Sequence, residues 1–172
     1  MLQLSGSFLN KPVLSLRSGG TIAWAISPII NPNNLKIEGF YCNDASAKRQ
    51  EVLLYQDIRE LSRQGFIVND HDALSLPHDL VRLKQILDLH FELIKKPVVT
   101  VSKQKIGKVS DYAVETDTMY VQKLYISRSI LKSLASGSLS IDRSQIVEIT
   151  NSRIIISDLL QGEPSPATAS FA

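Results

Sequence analysis

Short apolar and β-branched runs separated by turn residues recur along most of the chain, while helical spacing dominates one stretch between them. Alternation and β-branched enrichment predict strands at residues 13–16, 22–30, 36–42, 52–55, 58–62 and 66–68. A second set follows at 98–101, 106–114, 119–126, 139–141, 146–150 and 153–157. Ser18-Gly19-Gly20-Thr21 reads as a hairpin turn, because glycine takes positive φ without steric cost. Asn31-Pro32-Asn33-Asn34 reads as another, with proline presetting φ and asparagine tolerating the left-handed region. Leu76, Leu80, Leu83 and Leu87 recur at helical spacing and predict an amphipathic helix over 77–90, with Pro77 and Asp79 suited to its first turn. Its leucine stripe is expected to pack on a barrel or in the groove between two. Ile130, Leu131 and Leu134 predict one helical turn within 127–138. Residues 161–172 are small, polar and proline-containing, the composition of a disordered tail.

The two strand sets are copies of one unit. Leu9-Asn10-Lys11-Pro12-Val13 matches Ile94-Lys95-Lys96-Pro97-Val98, and Ile22-Ala23-Trp24-Ala25 matches Ile106-Gly107-Lys108-Val109. Ile37 to Cys42 matches Val121 to Ile126, and Ile58-Arg59-Glu60-Leu61 matches Ile146-Val147-Glu148-Ile149. Phe66-Ile67-Val68 closes against Ile154-Ile155-Ile156. Agreement in order and spacing over successive blocks marks an internal repeat. A unit of about seventy residues sits near the lower limit for an independent core, so the copies are expected to touch. The division this predicts is a first barrel over 1–74, a linker helix over 75–91, a second barrel over 92–160 and the tail. Many short strands with close turns predict a mainly β fold of two tandem small barrels.

Composition narrows the function classes. No apolar run reaches the length of a bilayer span, and the N-terminus lacks the basic start and apolar core of a secretory signal. The single Cys42 excludes an internal disulfide and fits a reducing compartment, so a cytoplasmic location without membrane insertion is expected. Cys42 falls on an inward strand position and reads as a small buried hydrophobe. Net charge is +2. Residues 1–76 carry seven basic and seven acidic side chains, whereas 91–158 carry ten and seven. Lys95, Lys96, Lys103, Lys105 and Lys108, with Lys123 and Arg128 on the adjoining ribbon, form a candidate interaction patch for RNA or an acidic protein face. Few aromatic residues interleave with these lysines, which argues against a stacking platform for single strands.

Catalytic chemistry is poorly represented. His71, His78 and His90 lie in or beside the linker with no serine or cysteine in evident partnership, and His71, His78, Asp72 and Asp79 form only a loose candidate for a metal cluster. Gly19-Gly20 lacks the lysine, serine and helix of a phosphate loop. Glu60 and Glu148 occupy equivalent positions, each on the polar phase of its own strand. No cofactor and no catalytic residue is called for.

The repeated unit resembles the PRC-barrel, the small β-barrel shared by the cytoplasmic part of the photosynthetic reaction-centre H subunit and the C-terminal domain of a bacterial ribosome-maturation factor. Lys96-Pro97-Val98, Ile106-Gly107-Lys108-Val109 and Ile146-Val147-Glu148-Ile149 carry the likeness in the second copy. In the first copy Ala23 stands where that family usually has glycine. The resemblance covers roughly residues 7–70 and 92–158. It implies a stand-alone tandem protein acting as a non-catalytic adaptor for a protein partner. The alternative it implies is a ribosome-assembly or RNA-associated factor that uses the basic patch.

Overall fold

The long strands of each copy curl because each carries a bulge at the same place. The computed structural model describes residues 1–127 and 139–158. In the first copy the strands are β2 (Lys11–Ser15), β3 (Thr21–Asn31), β4 (Lys36–Asp44), β5 (Gln50–Leu54), β6 (Glu60–Leu61) and β7 (Phe66–Val68), after a short β1 (Leu2–Leu4). Then come β8 (Leu74–Ser75) and a linker. The second copy follows as β9 (Pro97–Thr100), β10 (Lys105–Glu115), β11 (Tyr120–Ser127), β12 (Leu139–Asp142), β13 (Ile146–Ile149) and β14 (Ile154–Ile156). The fold is mainly β.

Pairing repeats strand for strand. β2 and β3 are antiparallel with Val13 opposite Ala23, and β9 and β10 place Val98 opposite Gly107. Parallel pairing of β2 with β7 sets Val13 against Phe66, and β9 with β14 sets Val98 against Ile154. The register slips past Ile26 in the first long hairpin and past Ser110 in the second. An extra residue bends and twists a strand locally. Gly107 permits the tight crossing in the second copy, where a Cβ would stand 2.2 Å from the Ser127 carbonyl oxygen.

The copies join through their hairpin tips. The sheet path runs β13-β14-β9-β10-β11-β4-β3-β2-β7-β6 and is open at both ends. Tyr120 pairs with Lys36 at the junction. Leu35 and Met119 hold equivalent left-handed conformations, at φ 55° and 58°, and both are buried. Such a conformation costs a side-chain-bearing residue about 1–2 kcal/mol. Burial of a large apolar side chain is worth about 1.5–3 kcal/mol and offsets it. The geometry also turns the Leu35 carbonyl toward Val121 N–H (2.9 Å) and the Met119 carbonyl toward Ile37 N–H (2.8 Å), a reciprocal pair related by an approximate two-fold.

The segment before each copy packs on the other. β1 pairs with β10 of the second copy, Leu2 opposite Glu115. The linker returns to the first copy, where Leu80, Leu83 and Leu87 meet Ile29, Val52 and Leu54 on the outer face of β3 and β5. The predicted helix over 77–90 is shorter than its leucine spacing suggests. Two 3₁₀ turns, Pro77–Asp79 and Val81–Leu83, precede a helix α1 confined to Lys84–Leu89. Leu80, at ψ 66°, interrupts the helical path, and no side chain caps α1 at its start. The apolar stripe keeps its packing role without one continuous helix. The boundary expected at 74/75 falls inside β8, which pairs with β5. The helical turn expected within 127–138 and the tail lie outside the described residues.

One apolar cluster spans both copies, from Phe8, Phe40 and Phe66 to Leu93, Leu124 and Ile154. Register matches Phe40 with Leu124 and Phe66 with Ile154, and Phe8 and Leu93 each stand three residues before the Lys-Pro-Val of their copy, so the second copy fills with aliphatic side chains the places the first fills with rings. Phe40 stacks on Phe66 with centroids 4.7 Å apart, a geometry worth about 0.5–1.5 kcal/mol beyond area burial.

Candidate functional site

The β9–β10 hairpin gathers part of the lysine patch. Lys105 lies opposite Val99 and Lys108 opposite Pro97. Val98 and Thr100 point inward, so these lysines share the outward face. Lys103 occupies the connecting turn, and Lys95 donates its backbone N–H to the Val109 carbonyl beside Lys108. All four are exposed. Lys96 is not part of this surface. It is 9 % exposed, its ammonium sits 4.5 Å from the Phe91 ring centroid, and it donates to the Asn151 carbonyl at 2.7 Å. Burial lowers its pKa, an effect the neighbouring Glu92 opposes. Lys11 makes the equivalent bond to the Ser62 carbonyl at 3.0 Å. Lys123 lies four residues along β11 from Ser127, the partner of Lys108, roughly 13 Å away, and pairs with Asp142 at 3.5 Å. Arg128 lies outside the described residues.

At the same backbone positions the first copy carries a different surface. Trp24 takes the place of Lys108 and Thr21 that of Lys105. Trp24 is 46 % exposed and lies opposite Pro12, with Ile26 and Leu16 also exposed nearby on β3 and after β2. Aromatic and aliphatic groups on an outward strand face are the chemistry of protein contacts, lysines that of anionic ones.

A cleft of about 410 Å³ lies between the copies, lined by Pro32, Asn34, Leu35, Arg143, Val147 and Glu148. The Arg143 guanidinium lies over the Tyr120 ring at 4.6 Å. Its first-copy counterpart, Tyr55, instead bonds the Asp117 carbonyl at 3.1 Å. Glu60 and Glu148 are both exposed and sit on the strands at the two ends of the sheet path, each in its own copy.

Buried charge concentrates at one end of the first copy. Phe40, Cys42 and Asp44 form the inward row of β4, and Glu51 lies opposite Cys42 on β5. Asp44 and Glu51 are 3 % and 2 % exposed. The 3₁₀ turn His71–Ala73 lays His71 over them, with Nε2 on Asp44 Oδ2. Asp44 Oδ1 accepts from the backbone N–H groups of Ser46 (2.7 Å) and Ala47. Burial raises the Asp44 pKa, but the bonds from Ala47, His71 and Ser46 outweigh it and the net shift is downward. Arg49 holds Glu51 Oε1 through both Nε and a terminal nitrogen at 2.7 Å. Glu51 Oε2 is buried with no hydrogen-bond partner among the described residues.

The loose grouping of His71 with His78, Asp72 and Asp79 is not assembled. His78 pairs with Asp79 at 3.5 Å on the surface, while His71 turns to Asp44 and Glu51. Alternation predicts strands only over 36–42 and 52–55, and the structure extends them to Asp44 and Glu51, which is why sequence reasoning missed both acids. No protein-family model matches the chain, and no curated protein matches its sequence.

Proposed function

We propose that this protein is a non-catalytic protein-interaction adaptor built of two PRC-barrel-like modules. The observation that carries the reading is the contrast between equivalent outward positions. One backbone frame presents Trp24, Pro12 and Ile26 in the first copy and Lys105 and Lys108 in the second. A repeat that keeps its core and pairings while its two faces differ in chemistry suits a scaffold that holds unlike surfaces at a fixed separation. The test is capture with the tagged chain from native extract, with and without ribonuclease, alongside a Trp24→Glu variant. A protein retained through nuclease and high salt and lost with Trp24→Glu supports the adaptor reading. Recovery of nothing above background, or of partners indifferent to Trp24→Glu, overturns it.

A ribosome-assembly or RNA-associated role is the second reading, favoured by the exposed cluster of Lys95, Lys103, Lys105 and Lys108. Phosphate contacts release counterions, so RNA affinity should fall steeply with salt. It should also drop when Lys103, Lys105 and Lys108 are changed to glutamate. RNA binding indifferent to both removes this reading.

A further inference from the structure

We infer that Asp44, Glu51 and His71 form a binding site for one divalent transition-metal cation. One ligand-type atom from each residue lies within 4.8 Å of the others. A tetrahedral zinc ion places its ligands about 3.3 Å apart, so only a small adjustment is needed, and His71, the exposed member, has room to make it. One imidazole nitrogen with two carboxylates suits Zn²⁺ and its neighbours and is too nitrogen-rich for Mg²⁺. The cation replaces the contact between His71 Nε2 and Asp44 Oδ2.

Two features separate this cluster from an ordinary knot of ion pairs. Glu51 is buried yet leaves Oε2 without a partner among the described residues, and an unpaired carboxylate oxygen in that position is costly unless a cation meets it. Arg49 meanwhile fixes Oε1, as an outer partner orients a metal-binding carboxylate. The second copy supplies the internal comparison. There Leu139 lies opposite Ile126, as Glu51 lies opposite Cys42. By sequence offset Arg128 and Leu159 stand for Asp44 and His71. The same fold therefore puts leucine where the first copy puts Glu51, so the buried acid is not a requirement of the strand pairing.

The experiment is calorimetric titration of the full chain, stripped with chelator, using ZnCl₂ and in parallel MgCl₂. One Zn²⁺ per chain is expected, with a rise in thermal midpoint and no comparable response to Mg²⁺. Glu51→Gln and His71→Ala should each weaken Zn²⁺ binding by at least about tenfold. A His78→Ala/His90→Ala double variant should leave it unchanged. No stoichiometric binding, binding that survives His71→Ala, binding lost with the double variant, or equal affinity for Mg²⁺ overturns the site. His71 is exposed, so its alanine variant keeps the test decisive even where Glu51→Gln fails to fold.

Discussion

Cys42 sits between Phe40 and Asp44 on the inward row of β4, fully buried, with its sulfur 3.6 Å from the Phe40 carbonyl. Burial pushes its thiol up to about 12; a backbone contact from Leu53 opposes the shift and the nearby Glu51 carboxylate adds to it. An unfolded thiol titrates near about 8.5. Between these values the unfolded chain loses its proton first, so stability is whole below about 8.5 and falls as pH rises toward 12. The slope is about 1.4 kcal/mol per pH unit in that window. Urea midpoints at pH 8, 9 and 10 should therefore fall more steeply for the native sequence than for Cys42→Ala, and equal slopes would refute the assignment. The burial of this residue was legible from strand alternation. The buried acids Asp44 and Glu51 lie just past the strand ends that alternation predicts, and composition favours reading Asp and Glu there as surface residues. Their convergence with His71 also needs the return of the chain after β7, which no local pattern encodes.

At the scale of elements, Lys11 and Lys96 act as clasps. Each reaches from the first strand of its copy to a carbonyl in the turn that joins the last two, Ser62 in one and Asn151 in the other. Each turn is closed internally by a hydroxyl, Ser62 in one and Thr150 in the other, and the lysine ties that closed turn to the start of its copy. Removing Lys96 leaves the Asn151 carbonyl short of a donor and strips the cover from Phe91. Lys96→Ala should therefore cost about 1–3 kcal/mol. Lys105→Ala, on the open face, should stay within about 0.5 kcal/mol. Equal effects in chemical denaturation would show that Lys96 carries no such bond. The strands other than β1 and β8 were legible to within a residue or two, because period-two alternation and turn residues report local geometry. The lysines were not separable by sequence, since both roles use the same side chain. The linker was over-read as one helix for a related reason: spacing reports which residues face a surface, not whether the backbone between them is α-helical or 3₁₀.

The repeat foretold two equivalent units, but it did not foretell how completely they share their structure. β1 lends itself to the second copy and the linker to the first. Leu35 and Met119 exchange backbone bonds across the junction, and the apolar cluster runs through both units. The three-residue β7 and β14 were legible through the repeat, whereas β1 has no strand counterpart in the other copy among the described residues. The junction turns place leucine and methionine in the left-handed region, where sequence rules expect glycine or asparagine. Packing sets those features, so only the folded chain displays them. A shared core predicts shared unfolding, and the position of the single tryptophan makes this measurable. Trp24 belongs to the first copy and Met119 to the second. Met119 is fully buried, so Met119→Ala should cost about 2–5 kcal/mol. If the copies are one cooperative unit, the urea midpoint seen by Trp24 fluorescence should move with the midpoint seen by far-ultraviolet circular dichroism, and the two curves should coincide. A Trp24 transition left at its original midpoint, with a split dichroism curve, would mean that the two units unfold separately despite their common sheet.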